Sequence, residues 1–338
     1  MNKKIAAGLF RHASESGVKN MVIASRKSKV VMDYYFSDGT SRSFSLPQKM
    51  EQELFADLRQ LLNINPGELA SEKLVRLAGP QGRLDFHVTI TPDRDKEKIM
   101  ISILDRNQRN WRLNQLGLQN SQKKEINNFL NRRSGLLIVS SPPGHGKSAT
   151  AFALAAETDS EKKDIYALED WPETTLDGVN SLKQTPDNWA RILKHDSDFI
   201  VADSLENEEN LKNAFRAAES GRLVVGTMAA DSSFEVLAKI LKIDLPLKLK
   251  LDNLKMIINQ RLEELNASLR HRRKNIRLSI GLFEILKMTP RLKTLITKGG
   301  DKTDRKFWEN LITAAINEGF QPLETDRKKK TKSRIIKN

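Results

Sequence analysis

Short apolar runs separated by polar turns open the chain. NMVIAS near 20–25, KVVMDYYF at 29–36, LDFHVTI at 84–90 and KIMISIL at 98–104 read as strands, with a helical stretch near 48–62. That mixture predicts a small α+β domain over residues 1–105. In DRNQRNWRLNQLGLQN the periodicity is lost, so residues 106–120 are expected to form a linker, with Ser121 capping the helix SQKKEINNFLNR. The pattern then changes. GLLIVS (135–140), DIYALE (164–169), DFIVAD (198–203) and RLVVGT (222–227) are nearly continuous apolar runs alternating with amphipathic stretches at 147–157, 187–195 and 207–219. Runs of this kind indicate parallel strands buried on both faces. Residues 121–326 are therefore expected to form an α/β domain with a mainly parallel sheet. Its last part, from about 232 to 320, reads as mostly helical, interrupted by IRLSIGLFEIL at 276–286 as a strand pair or extended crossover.

A length of 338 residues allows two domains, each large enough for its own core. The net charge of +14 suggests an acidic partner, but DRKKKTKSRIIKN at the C-terminus holds seven basic side chains against Asp326 and supplies a net six of those charges. Residues 327–338 are expected to be a basic disordered tail on a moderately basic body. The chain has no cysteine, which excludes disulfides and cysteine-ligated zinc and fits a reducing cytosol. Only six residues separate Lys4 from Arg11, too few for a signal-peptide core. No apolar run approaches the roughly 20 residues of a membrane helix, so any membrane role is expected to be peripheral.

The run GLLIVSSPPGHGKSATA carries the candidate chemistry. Gly146, Lys147 and Ser148 match the end of the phosphate-loop pattern G-x-x-x-x-G-K-[ST], whereas Ser141 stands at its first glycine. Between a strand and a helix, the backbone N–H groups of Pro143–Ala149 (Gly144, His145, Gly146, Lys147, Ser148 and Ala149, proline having none) would face phosphates at the positive end of the helix dipole. Lys147 would bridge the β- and γ-phosphates and Ser148 would ligate Mg²⁺. Asp203, ending DFIVAD, is the candidate second metal acid, because ligands of such sheets bind at the carboxyl ends of the strands. Glu169 ends the strand IYALE and is the candidate general base, with Asp170 and Glu173 close behind.

Taken in order, these motifs resemble the ring-forming ATPases of type II secretion and type IV pili. SPPGHGKSAT is similar to that family's GPTGSGKTTT; ALEDWPE at 167–173 to its acidic box; DSDFIVADSLENEENLKNAFRAAESG to its DPDIIMVGEIRDxETAxxAxxAAxTG; and GRLVVGTMAADSS to its GHLVLSTLHTNDA. INQRL at 258–262, GLFEILKMTPRLKTLI at 281–296, AAINEGFQPL at 314–323 and GRLDFHVTITPDRDKEKIMISIL at 82–104 extend the likeness. The resemblance implies a RecA-like domain behind a small N-terminal α+β domain, with ATP and Mg²⁺ as cofactors and ATP held between the domains. It implies a homo-oligomer, as a hexameric ring, acting on an inner-membrane platform protein, and a cytoplasmic site with peripheral membrane association through partners. Nucleic acid is not the expected partner.

Carried over by position, Lys147, Ser148, Glu169, Asp170, Glu173 and Gln260-Arg261-Leu262 are kept, and Arg83 matches a phosphate-facing arginine of the N-terminal domain. Asp203 is read as standing where the family has glutamate. Arg222 and Ala229 replace its two histidines, and His87 and Ser102 two further arginines. The tetracysteine insertion of the family is missing, as in retraction-type motors. Loss of such arginines lowers phosphoryl-transfer rates by on the order of 10³-fold. Two readings follow: a motor that hydrolyses ATP to assemble or retract a filament, and a degenerate, non-hydrolysing structural or regulatory subunit; a third, a nucleic-acid motor, draws only on the net charge and the lysine tail. His145 fits none of them and is expected to be a solvent-facing variable position.

Overall fold

A computed structural model describes residues 4–26, 29–36, 40–47, 50–62, 71–79, 82–93, 96–104, 111–170, 176–266, 269 and 279–337. They fall into two compact units, Met1–Arg106 and Asn107–Asn338.

The first unit runs α1 (Lys4–Glu15), β1 (Val18–Arg26), β2 (Lys29–Phe36), β3 (Ser41–Pro47), α2 (Glu51–Leu62), β4 (Ser71–Gly79), β5 (Gly82–Asp93) and β6 (Lys96–Leu104). Its six strands pair in the order β3-β2-β1-β6-β5-β4, every pair antiparallel. Alternation sends Phe86, Val88 and Ile90 of β5 and Ile99 and Ile101 of β6 into one face, which is covered by Ala6, Phe10 and Ala13 of α1 and Leu54 and Leu58 of α2. Phe10 meets Phe86 edge-on at 4.6 Å between centroids. His87 and Ser102, directly opposite one another in register, belong to the other face.

In the second unit, α3 (Asn120–Leu130) precedes β7 (Gly135–Ser141), α4 (Lys147–Ala156), β8 (Ile165–Glu169), β9 (Val179–Lys183), α5 (Pro186–Lys194), β10 (Phe199–Asp203) and α6 (Glu208–Glu219). Then come β11 (Leu223–Ala229), α7 (Ser233–Lys242), α8 (Leu247–Asn253), β12 (Leu254–Glu264), β13 (Ser279–Lys287), α9 (Pro290–Lys298), α10 (Arg305–Asn317) and α11 (Leu323–Lys332). The sheet order is β13-β12-β7-β11-β10-β8-β9, parallel throughout except for β13 on β12. Both faces are buried. Leu137, Val139, Phe199 and Val201 pack against Phe152 of α4 and Phe129 of α3. Leu136, Ile138 and Ile200 pack against Phe215 of α6 and Ile240 of α7.

Four sequence expectations need correction. The segment expected as a linker, 106–120, is outside the described residues at 106–110, but from Trp111 on it is packed. Leu113 and Leu118 are buried, and Leu113 N–H donates to Glu157 Oε1 at 3.2 Å. Gln119, not Ser121, caps α3, because Gln122 reaches back to its backbone N–H at 2.8 Å. The supposedly helical stretch after 232 contains β12, whose polar Asn259 and Gln260 disguise a buried strand. Finally, the expected disordered tail at 327–338 is ordered over its described residues, 327–337. α11 continues to Lys332, and Lys330 and Ile336 are buried, Ile336 bridging Leu265. Its lysines divide between a solvated side and a buried one, which net charge alone does not reveal.

Candidate functional site

The phosphate loop leaves the central strand β7 and enters α4, so it opens at the carboxyl edge of the sheet. Ser141 is fully buried at the end of β7, and its hydroxyl donates to the Pro142 carbonyl at 2.7 Å. The missing first glycine is thereby absorbed outside the cradle. Gly144 and Gly146 hold φ of +79° and +81°, left-handed values that a side chain disfavours. A Cβ on Gly146 would also stand 3.2 Å from Gln260 Nε2.

Gly146 is the N-cap of α4 and brings no side-chain acceptor. Elsewhere in this unit Thr185, Asn207, Ser232, Thr289 and Asp304 cap α5, α6, α7, α9 and α10 with side-chain oxygens. The first-turn N–H groups of α4, from Lys147 through Ala149, therefore have no side-chain acceptor, as at the proline-led starts of α8 and α11, which suits an anion. Among the described residues the Lys147 ammonium makes no ion pair or hydrogen bond either.

Asp203 and Glu169 are register partners at the ends of β10 and β8. Alternation puts both on the α4 face, in line with Val201 and Ala167. Ser148 Oγ donates to Asp203 Oδ1 at 2.8 Å, and Thr227 Oγ1 of β11 to the same oxygen at 3.0 Å. The two residues expected to serve a metal are thus in contact. A serine hydroxyl and a carboxylate are hard oxygen donors of the kind Mg²⁺ takes. No group of three acids or histidines able to hold a metal occurs among the described residues, so a divalent ion here would take further oxygens from phosphate or water. These residues fit Mg²⁺-nucleotide.

Counted without a gap through Asn207 to Gly221, the quoted family stretch sets Ser204 against its glutamate and Asp203 against its glycine. The carboxylate aimed at Ser148 nevertheless comes from Asp203. Ser204 holds φ +118°, and its carbonyl accepts from Gln184 Nε2 at 2.7 Å.

Glu169 is 1% exposed, and Ser181 Oγ of β9 donates to its Oε1 at 2.5 Å. Glu173 lies outside the described residues. Arg83 sits on β5 opposite Ala78, four residues before His87; its side chain is outside the described set. Arg222 is not at the phosphate edge at all. It precedes β11 at the amino edge, where its guanidinium donates to Leu193 O at 3.1 Å, His195 O at 2.8 Å and Ser197 Oγ at 3.1 Å, closing the C-terminus of α5. Ala229 does lie at the mouth, paired with Ser141. Its N–H donates to Glu206, and its carbonyl accepts from Lys239 Nζ at 2.7 Å.

Sequence reasoning missed Thr227, Ser181, Glu206 and the role of Gln260. Thr227 carried a faint signal, a hydroxyl near the end of the strand neighbouring Asp203. The others depend on which strands are adjacent.

A family model described as "Type II/IV secretion system protein" matches residues 58–319. The type IV pilus assembly ATPase PilB of Pseudomonas aeruginosa is 23% identical over 282 residues, 72% of this chain and 49% of that protein. The chain spans about half the length of the curated relatives it matches. By structure it is similar to the Legionella pneumophila ATPase DotB, with TM-score 0.73, 15% identity and coverage of 97% of this chain and 91% of that one. It is also similar to the pilus retraction motor PilT with bound ADP, with TM-score 0.64, 18% identity and 95% of each chain covered. With the model spanning more than half its length, the chain belongs to the type II/IV secretion system protein family.

Proposed function

We propose that this chain is an ATP-binding motor subunit of a type II secretion or type IV pilus system, working with Mg²⁺ in a homo-oligomeric, hexameric ring. One observation carries the reading: Ser148, Asp203 and Thr227 converge at hydrogen-bond distance beside the uncapped start of α4. Lys147 and the N–H groups of 144–149 hold the phosphates, and Ser148 with Asp203 holds the ion. Bound Mg²⁺ supplies charge neutralisation on the phosphate oxygens. Glu169 is proposed as the base that orients water.

A second reading, a subunit that binds ATP and hydrolyses it slowly or not at all, is favoured by the enclosure of Glu169 against Ser181 and by the His87–Ser102 pair where arginines are expected. In either reading the ring acts on an inner-membrane platform protein from the cytoplasmic side. No described helix is long and apolar enough to cross a membrane. Nucleic acid is not proposed as a partner, because the lysine-rich terminus is a packed helix rather than a free arm.

Calorimetric titration with ATP and Mg²⁺ tests the shared core of both readings. Lys147→Ala is expected to weaken binding by on the order of 100-fold, the loss of a charge-assisted contact. Equal affinity in the two proteins overturns it. Phosphate release at saturating ATP then separates motor from non-hydrolysing subunit.

A further inference from the structure

The loop residue expected to face solvent is docked instead. Beyond Asn259, β12 outruns its partner β7, whose last pairing with it is Ser140 to Asn259. On that unpaired edge Leu262 N–H donates to Nδ1 of His145 at 3.0 Å. The imidazole thus accepts a β12 backbone donor beyond the last β7 pair. Two residues earlier on the same strand, the buried amide of Gln260 completes the attachment. Its Nε2 donates to the His145 carbonyl at 2.6 Å, and its Oε1 accepts from Thr150 of α4 at 2.6 Å. Loop, helix start and sheet edge are joined through one amide and one ring.

We propose that His145 is a positioning residue whose neutral imidazole fastens the phosphate loop to β12, so that nucleotide capture weakens when the ring takes a second proton. The inference rests on the nucleotide reading above and adds a regulation of that site. An Nδ1 that accepts from Leu262 carries no proton, so the neutral ring is the Nε2–H tautomer. A doubly protonated imidazole offers only donors and faces the Leu262 donor across the same gap. Docking therefore favours the neutral ring, and the attachment is present at neutral pH and lost as pH falls. Among the described residues, the loop and the strand it meets also carry Lys147 of α4, Arg261 of β12 paired with Asp231 at 3.2 Å, and Glu263 of β12 with Arg327 of α11 at 3.5 Å. With the ring released and only the Gln260 amide still holding the His145 carbonyl, more of the loop must order itself around the phosphates on binding, at a cost in affinity.

The test uses the full chain, ADP with Mg²⁺ as probe, and the variants His145→Asn and His145→Ala. Asparagine places an acceptor oxygen where Nδ1 stands but does not titrate. Between pH 7.5 and 5.5 the wild-type affinity is expected to fall about fivefold more than that of His145→Asn, the worth of one net hydrogen bond; the common slope belongs to the nucleotide itself. His145→Ala is expected about fivefold weaker already at pH 7.5, without the extra slope. Nitrogen-15 histidine spectra of the unliganded chain should show Nδ1 unprotonated at pH 7.5. Parallel pH slopes in wild type and His145→Asn, or a protonated Nδ1 in the neutral ring, overturn the proposal. Wild-type protein that binds no ADP at any pH overturns the nucleotide reading instead, and the tautomer measurement then decides the docking by itself.

Discussion

Asp203→Asn is expected to keep the fold and lose the Mg²⁺ dependence of nucleotide binding, with any phosphate release falling by on the order of 10²-fold. The reason lies in what the oxygen does. Asp203 Oδ1 accepts from both Ser148 and Thr227, and an asparagine oxygen in the same place still accepts from both. Only the charge goes, so thermal stability should stay within about 1 kcal/mol of wild type. Ser148→Ala removes one donor to that oxygen and with it the hydroxyl proposed to hold the ion, and should mimic the effect on Mg²⁺ dependence. Titrating ADP with and without Mg²⁺ reads it directly: an undiminished Mg²⁺ enhancement in Asp203→Asn would remove Asp203 from the ion's site and return attention to Ser204.

A larger loss of stability is expected far from the loop. Asp326→Ala should destabilise the second unit by about 3–5 kcal/mol, because it strips a buried ammonium of its partner. Asp326 and Lys330 are 2% and 7% exposed at their side chains and 2.7 Å apart. Asp326 also accepts from Gln119 Nε2 at 2.6 Å and Phe283 N–H at 2.9 Å, while Lys330 donates to the Gly281 carbonyl at 2.6 Å. Burial pushes the Lys330 pKa down, opposed by the hydrogen bond and the charge of Asp326. Removing Lys330 instead leaves a buried carboxylate with two donors still in place, so Lys330→Met should cost less than Asp326→Ala. The double variant should cost less than the two single losses added together. Strictly additive losses, measured by denaturant titration, would mean that the two groups act separately. Residues 327–338, which include the second half of this helix, were expected to be a disordered tail, and their removal is accordingly a fold-breaking change rather than a test of surface charge.

The parallel strands were legible because each is a run of apolar residues that only a doubly covered sheet can bury. β7, β8, β10 and β11 stand within a residue or two of the runs that announced them. β9 and β12 were not legible. VNSLK is short and half-polar at a sheet edge, and INQRL carries two amides whose burial makes sense only with Thr150, Ser140 and the loop beside them. Asp203 could be chosen from its place at the end of DFIVAD. Arg222 shows the opposite failure: a position read as a weakness of the catalytic edge is a helix clamp at the other end of the sheet, because motif order says nothing about which edge a flanking residue occupies.

By itself, then, the sequence determined what depends on neighbours along the chain: the strands with continuous apolar runs, the left-handed glycines of the loop, and the strand-loop-helix order that puts Lys147 and Ser148 at a helix start. Only the tertiary structure decided what depends on neighbours across the sheet. The β7-β11-β10-β8 order brings Ser148, Thr227, Asp203 and Glu169 onto one face. The β12-β7 pairing carries Gln260 and Leu262 under the phosphate loop. Hydrogen bonds and buried charges act over about 3 Å, and residues 115 or 117 positions apart, as Gln260 and Leu262 are from His145, meet only once strand order has been chosen by burial of the whole sheet.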